Sequence, residues 1–204
     1  MNRSTVGAAL AGAALAAAVV SCASTEVLYQ WRKEGYAGPA LKKVLVVGIA
    51  KQEGLRRSFE DGFAVQLRAL GVEGVRAYTL APESGPVDKD KMATAVRASG
   101  ADGVLVVRFV KVDNRVQVTP GLDEGPPDVR ELYGYYGWCW AGCYAPPVVY
   151  TYELIDMEIK LFEAQGAELV WSLATESLYP SDIHKGIAAF AKTVLAKARK
   201  HGLL

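Results

Sequence analysis

The folded part of the chain opens on an apolar run, Val44-Leu45-Val46-Val47-Gly48-Ile49. A run of this length without polar interruption predicts a strand buried on both faces. Leu55, Phe59, Phe63, Leu67 and Leu70 then recur at helical spacing, with Arg56, Arg57, Glu60, Asp61 and Arg68 between them. That is an amphipathic helix, and Gly71 is placed to end it. Val75 to Thr79 reads as a short second strand and Pro82 to Pro86 as a loop. Asp88 caps a helix running through Ser99, which turns Met92, Ala95 and Val96 inward and meets Gly100 at its end. Gly103 to Val112 is a third strand. Strand, helix, strand, helix, strand implies parallel strands joined by right-handed crossovers.

The second half changes period from 3.6 to 2. In Val149 to Phe162, Ile155, Met157, Ile159 and Leu161 point one way and Asp156, Glu158 and Lys160 the other. Ala164-Gln165-Gly166-Ala167 is a turn. Glu168 to Leu178 returns with Leu169, Trp171 and Leu173 alternating, so the pair forms an antiparallel hairpin. After Pro180, Ser181 or Asp182 caps a final helix whose core face is Ile187, Phe190, Ala191, Val194 and Ala198. Lys197, Arg199, Lys200 and His201 crowd its last turn, where cations suit the helix dipole. The pattern predicts one α/β domain over residues 41–204. It would be a mixed sheet of about five strands, βαβαβ and then a long antiparallel hairpin, with three helices.

The amino terminus is of another kind. Met1-Asn2-Arg3 is a short basic start, and Val6 to Val20 is an uncharged stretch of Ala, Val, Leu and Gly. Fifteen residues are too few to span a bilayer comfortably, and the arrangement is that of a secretory signal covering residues 1–21. It ends Val19-Val20-Ser21-Cys22, which resembles the lipobox of bacterial lipoproteins. The resemblance implies cleavage between Ser21 and Cys22, a diacylglycerol on the Cys22 sulfur and an acyl chain on its new amine. Three chains exceed what stable anchoring requires. No other cofactor is expected. Ala23, where an Asp would signal retention, implies the outer membrane by the enterobacterial sorting rule. Ordinary signal cleavage with release, or an uncleaved anchor, are the competing readings. Residues 22–40 read as a tether, whose Tyr29, Trp31 and Tyr36 suit an irregular first strand packed on the domain.

Residues 113–148 read as one long loop. They hold five of the nine prolines, with Gly121, Gly125, Gly134, Gly137 and Gly142 interleaved. A connection this long is usually functional or disordered. Between 133 and 152 lie eight of the nineteen aromatic residues. Tyr135, Tyr136, Trp138, Trp140 and Tyr144 are the candidate partner contacts, because Tyr and Trp dominate binding hot spots and suit membrane interfaces. A packing flap over the open end of the sheet is the alternative. Cys139 and Cys143 are a candidate disulfide in an oxidising compartment, one that would fix how the neighbouring rings are displayed.

Charge and catalytic chemistry mostly exclude. Lys+Arg 23 nearly cancels Asp+Glu 22, so nucleic acid is not an expected partner. No His or Cys cluster completes a metal site, and the stretch Gly48 to Gly54 lacks a phosphate-loop pattern. Ser181, Asp182 and His184 could be drawn as a hydrolase site, but they crowd a helix start where capping explains Ser181 and Asp182. Asp156 and Glu158 share a strand face that solvation explains. Lys185, Lys192 and Arg199 share a face of the acid-free final helix, read as solvated.

Several short runs occur in a telling order: Lys42-Lys43-Val44-Leu45-Val46-Val47-Gly48, Arg57-Ser58-Phe59-Glu60-Asp61, Ser99-Gly100-Ala101-Asp102-Gly103-Val104-Leu105-Val106, Leu161-Phe162-Glu163-Ala164 and Leu169-Val170-Trp171-Ser172. Together they resemble a family of Gram-negative outer-membrane lipoproteins of unknown function, over residues 40–204. The layout is similar to the amino-terminal domain of TolB and to the lipoprotein activators of peptidoglycan synthases, an analogy of fold alone. The expectation is a non-catalytic, lipid-anchored periplasmic protein of the outer membrane that binds or assembles an envelope protein or polymer. An envelope hydrolase using the Asp182/His184 region, and a small-ligand-binding periplasmic domain with its cavity under the aromatic segment, are the alternatives.

Overall fold

The computed structural model describes residues 25–82, 88–119 and 130–204, without the side chains of Cys143 and Tyr144. Ser21 and Cys22 lie outside the described residues. Six strands form one mixed sheet: β1 (Thr25–Arg32), β2 (Lys43–Ile49), β3 (Glu73–Arg76), β4 (Gly103–Thr119), β5 (Val148–Glu163) and β6 (Leu169–Leu178). Their spatial order is β1-β6-β5-β4-β2-β3. β2 runs parallel to β3 and β4; β4, β5, β6 and β1 are successively antiparallel. Four helices accompany them: α1 (Glu53–Ala69), α2 (Lys89–Ser99), α3 (Leu132–Tyr144) and α4 (Ile183–Lys200).

β2 owes its place to its composition. Val44, Leu45 and Val46 have no exposed surface, which only an inner strand covered on both faces allows. On one face Val44 and Val46 join Leu105, Val107, Ile155, Met157, Ile159, Leu161, Trp171 and Leu173 beneath α1 and α4. On the other, Leu45, Val47 and Val104 meet Met92 and Val96 of α2. Phe59, Phe63 and Phe190 pack edge to face where α1 and α4 cross, with ring centroids 6.5 and 6.0 Å apart. The crossing is close because Gly62 has no side chain; a Cβ there would stand 2.6 Å from Ile187 Cγ2.

The predicted caps are present. The Asp88 carboxylate accepts from Asp90 N at 2.9 Å, and Gly100 closes α2 at φ 60°, a left-handed conformation suited to glycine. Asp182 accepts from His184 N and Lys185 N, both at 3.1 Å. Lys185, Lys192 and Arg199 are exposed along α4, as the solvated reading expects.

The α/β class, the parallel βαβαβ half and the antiparallel hairpin agree with the sequence reading, which was one strand and one helix short. The extra strand, β1, lies in the tether segment, where Tyr29 and Trp31 suggest an irregular first strand packed on the domain. It pairs with β6 from Thr25↔Ser177 to Arg32↔Trp171 and packs Val27 on the core. The second predicted strand is shorter than expected: β3 ends at Arg76, and Ala77–Thr79 is a 3₁₀ turn. His201, at the basic end of α4, is hydrogen-bonded by the Gln30 side chain of β1 rather than free in solvent.

Candidate functional site

The stretch read as one loop over 113–148 is largely ordered as secondary structure, which corrects that reading. β4 continues to Thr119, β5 begins at Val148, and α3 lies between them. The reason is local: Val110, Val112, Val116 and Val118 alternate with Lys111, Asp113, Arg115 and Gln117, a strand pattern that outlasts the domain body. Sequence reasoning weighted the prolines and glycines and passed over this alternation.

β4 leaves the body at a bulge. Its last pair with β2 is Ile49↔Arg108, and register with β5 shifts between Phe109 and Lys111. A bulge bends and twists a strand, which suits a point where pairing on one side stops. β6 ends on the other side at Leu154↔Leu178. Beyond that point β4 and β5 pair only with each other, for six residue pairs from Asn114↔Glu153 to Thr119↔Val148. At the usual rise this ribbon extends about 20 Å past the body.

Its two faces differ. Val112 lies opposite the core residue Ile155, so the α1/α4 side of the sheet continues outward as Val112, Val116, Val118 and Val149, with Asn114, Thr151 and Glu153 among them. Val116 is 64% exposed. The opposite face sets Arg115 against Tyr152 and Gln117 against Tyr150. An isolated two-stranded hairpin is marginal in water, and one with exposed β-branched and aromatic side chains presents an unsatisfied surface.

α3 lies at the end of the ribbon. From Leu132 to Tyr152 the chain carries no charged residue. Tyr133, Tyr136 and Trp140 fall on one stripe by helical spacing; Tyr133 is 81% exposed, and the Tyr136 and Trp140 rings meet edge to face at 6.1 Å. Tyr135 and Trp138 stack at 6.1 Å. A hydrogen bond with the Cys139 sulfur holds the Tyr135 hydroxyl above its ordinary pKa. α3 packs extensively against no other element. The predicted contacts Tyr135, Tyr136, Trp138 and Trp140 are thus gathered on one helix; Tyr144 ends it, with its side chain outside the description.

Cys139 is half-buried on α3, and the side chain of Cys143, with it the expected Cys139–Cys143 disulfide, lies outside the described residues.

Elsewhere the geometry is that of stabilising contacts. Both capping bonds of Asp182 converge on Oδ1, and these backbone N–H groups hold its carboxyl below the usual carboxylate range. Glu158 accepts from Arg108 at 2.8–3.0 Å and pairs with Lys160 at 2.9 Å; Lys160 foremost, then Arg108, holds its pKa low. Lys111 bridges Asp113 and Asp156 on the same open face, and Arg115 reaches Asp113. A cavity of about 510 Å³ lies at the far end of the sheet from the ribbon, between Tyr36, Pro39, Arg97, Asp102 and Glu163. It is not under the aromatic segment. A narrow apolar crevice lined by Thr25, Phe109, Leu178 and Pro180 marks the ribbon's root. Among the described residues, no helix is long and apolar enough to cross a membrane.

No protein-family model matches the chain, and no curated protein does. Solved structures with a similar course include the PelC dodecamer from Paraburkholderia phytofirmans, at 17% identity over 85% of this chain and 96% of that one, TM-score 0.47. A point variant of the same dodecamer matches at 19% identity over the same shares, TM-score 0.48. Lipoprotein GNA1162 from Neisseria meningitidis matches at 10% identity over 79% of this chain and 99% of that one, TM-score 0.42.

Proposed function

We propose that this chain is a lipid-anchored, non-catalytic envelope protein that binds or assembles an envelope partner through the β4–β5 ribbon and α3. The partner is an envelope protein or polymer, and the place is the periplasmic face of the outer membrane. The observation that carries the reading is the ribbon itself: six residue pairs flanked by neither β2 nor β6, with Val116, Val118 and Val149 exposed on one face, Tyr150 and Tyr152 on the other, and an uncharged aromatic helix at its end. Such a surface is costly in water unless something covers it. The lipobox-like run before Cys22 supports the address. Asp182, the acid a hydrolase would need, is instead committed to the cap of α4.

Replacing residues 120–147 by a short Gly/Ser turn tests this. Loop length alone changes closure entropy by only about 0.6 kcal/mol per doubling. The shortened chain should keep a cooperative melt and its far-UV spectrum while losing the partners that crosslinking captures in intact cells. A folded deletion that captures the same partners would sink the reading. So would loss of phenotype on His184→Ala with capture intact.

A further inference from the structure

We propose that α3 is a second membrane contact, lying in the interfacial layer of the same bilayer that holds the acylated Cys22. This rests on the reading above and names what the aromatic end of the ribbon touches. The juxtaposition comes from strand register. Thr25 pairs with Ser177, Ser177 with Ile155, and Ile155 with Val112. The first residue of β1 therefore stands at the ribbon's root, and β1 runs away from it toward the far end of the sheet. Only Ala23 and Ser24 lie between Cys22 and Thr25, three Cα–Cα steps that reach at most about 11 Å in any conformation. An anchor at Cys22 thus keeps the bilayer within about 11 Å of a root from which the ribbon projects about 20 Å. A ribbon of that length, starting that close, brings its end to the lipid.

The chemistry of α3 fits that position. Tyr133, Tyr136 and Trp140 are amphipathic rings suited to the headgroup boundary. Thirteen residues of helix are too short to cross the hydrocarbon. Three glycines and the lack of charge pairs make α3 a poor helix in water. A low-polarity boundary strengthens its backbone hydrogen bonds. Lys111 and Arg115 at the ribbon are already paired with acids, so the attraction is apolar and not to anionic lipid.

The test uses the mature acylated protein in phosphatidylcholine vesicles carrying brominated acyl chains, with tryptophan fluorescence as the readout. Emission should be quenched, most by bromines near the headgroup. The double variant Trp138→Phe/Trp140→Phe should lose that quenching, because Trp171 is buried in the core and Trp31 lies at the end of β1 away from the root. On the acylated chain, Tyr136→Glu/Trp140→Glu, both exposed positions, should remove most of the quenching at unchanged melting temperature. Salt should change the quenching little. Quenching that persists in the Phe variant, absence of quenching, or quenching that requires phosphatidylglycerol and disappears in salt would each overturn the proposal. The mass of the mature chain reports acylation separately. Unquenched tryptophans in an acylated protein whose ribbon deletion loses crosslinked partners would refute this inference and leave the proposed function standing.

Discussion

Glu60 is the residue on which most of one corner depends. It has no exposed surface and accepts from Gly48 N at 3.0 Å, Arg56 Nε at 3.0 Å and Tyr78 N at 2.7 Å. Arg56, nearly as buried, donates onward to Ala81 O at 2.9 Å. One carboxylate thus ties β2, α1 and the 3₁₀ turn together, with every charge partnered. Removing one member leaves the other charged and buried, which costs far more than the intact pair contributes. Glu60→Ala should destabilise by about 3–5 kcal/mol in urea unfolding. Glu60→Gln keeps an acceptor oxygen and should cost less. Equal, small losses for both would show that water replaces the carboxylate and that the corner is looser than its contacts imply. In the sequence, Glu60 looked like one more polar residue on an exposed helix face; its burial comes from the turn folded over it.

At the scale of elements, α4 and α3 are opposite cases. α4 has an apolar stripe, a capping Asp182 and cations in its last turn, so each local rule agrees with its burial. Because N–H bonds hold the Asp182 carboxyl below its usual value of 3.8, its stabilisation is present above that pH and is lost as pH falls through the lower folded value. Glu158 adds to stability in the same sense. Thermal stability should therefore drop steeply below about pH 4. Asp182→Asn keeps a capping acceptor without a proton to gain, so its acid limb should be shallower than that of the unmodified chain. Melting scans across that range decide it, and identical slopes would contradict the assigned cause. α3 shows the reverse: three glycines and the lack of charge pairs disfavour it, and the described ring pairs, Tyr135–Trp138 and Tyr136–Trp140, run along its own length.

For the whole molecule, the decisive relation is between the chain's amino-terminal exit and the ribbon. β1 adds to the sheet edge antiparallel to β6, and this puts both at one end of the body; the 510 Å³ cavity is at the other. An anchored protein would then face the membrane with its ribbon and the periplasm with the cavity end and α2. Cys22→Ser should block processing, or leave the precursor membrane-bound without acyl chains, as read by metabolic lipid labelling and mass. Normal acylation and maturation of that variant would remove the anchor, and with it the orientation.

The sequence by itself determined the elements whose faces are written in local periodicity. These are the doubly buried β2, the stripes of α1, α2 and α4, the alternating hairpin, and the caps at Asp88, Gly100 and Asp182. Each depends on neighbours a few residues away, which a linear reading can see. The tertiary structure alone decided the rest. β1, suggested by the sequence only as an irregular strand, takes its register from the unpaired edge that β6 offers. The ribbon extends because register begun at Gly103↔Glu163 carries the two strands past their other neighbours. The aromatic residues, legible as a cluster, became a site only when that register lifted them off the body, on the side where β1 begins. Pairing between distant segments is set by which edges remain free after the core has closed, and no local pattern encodes that.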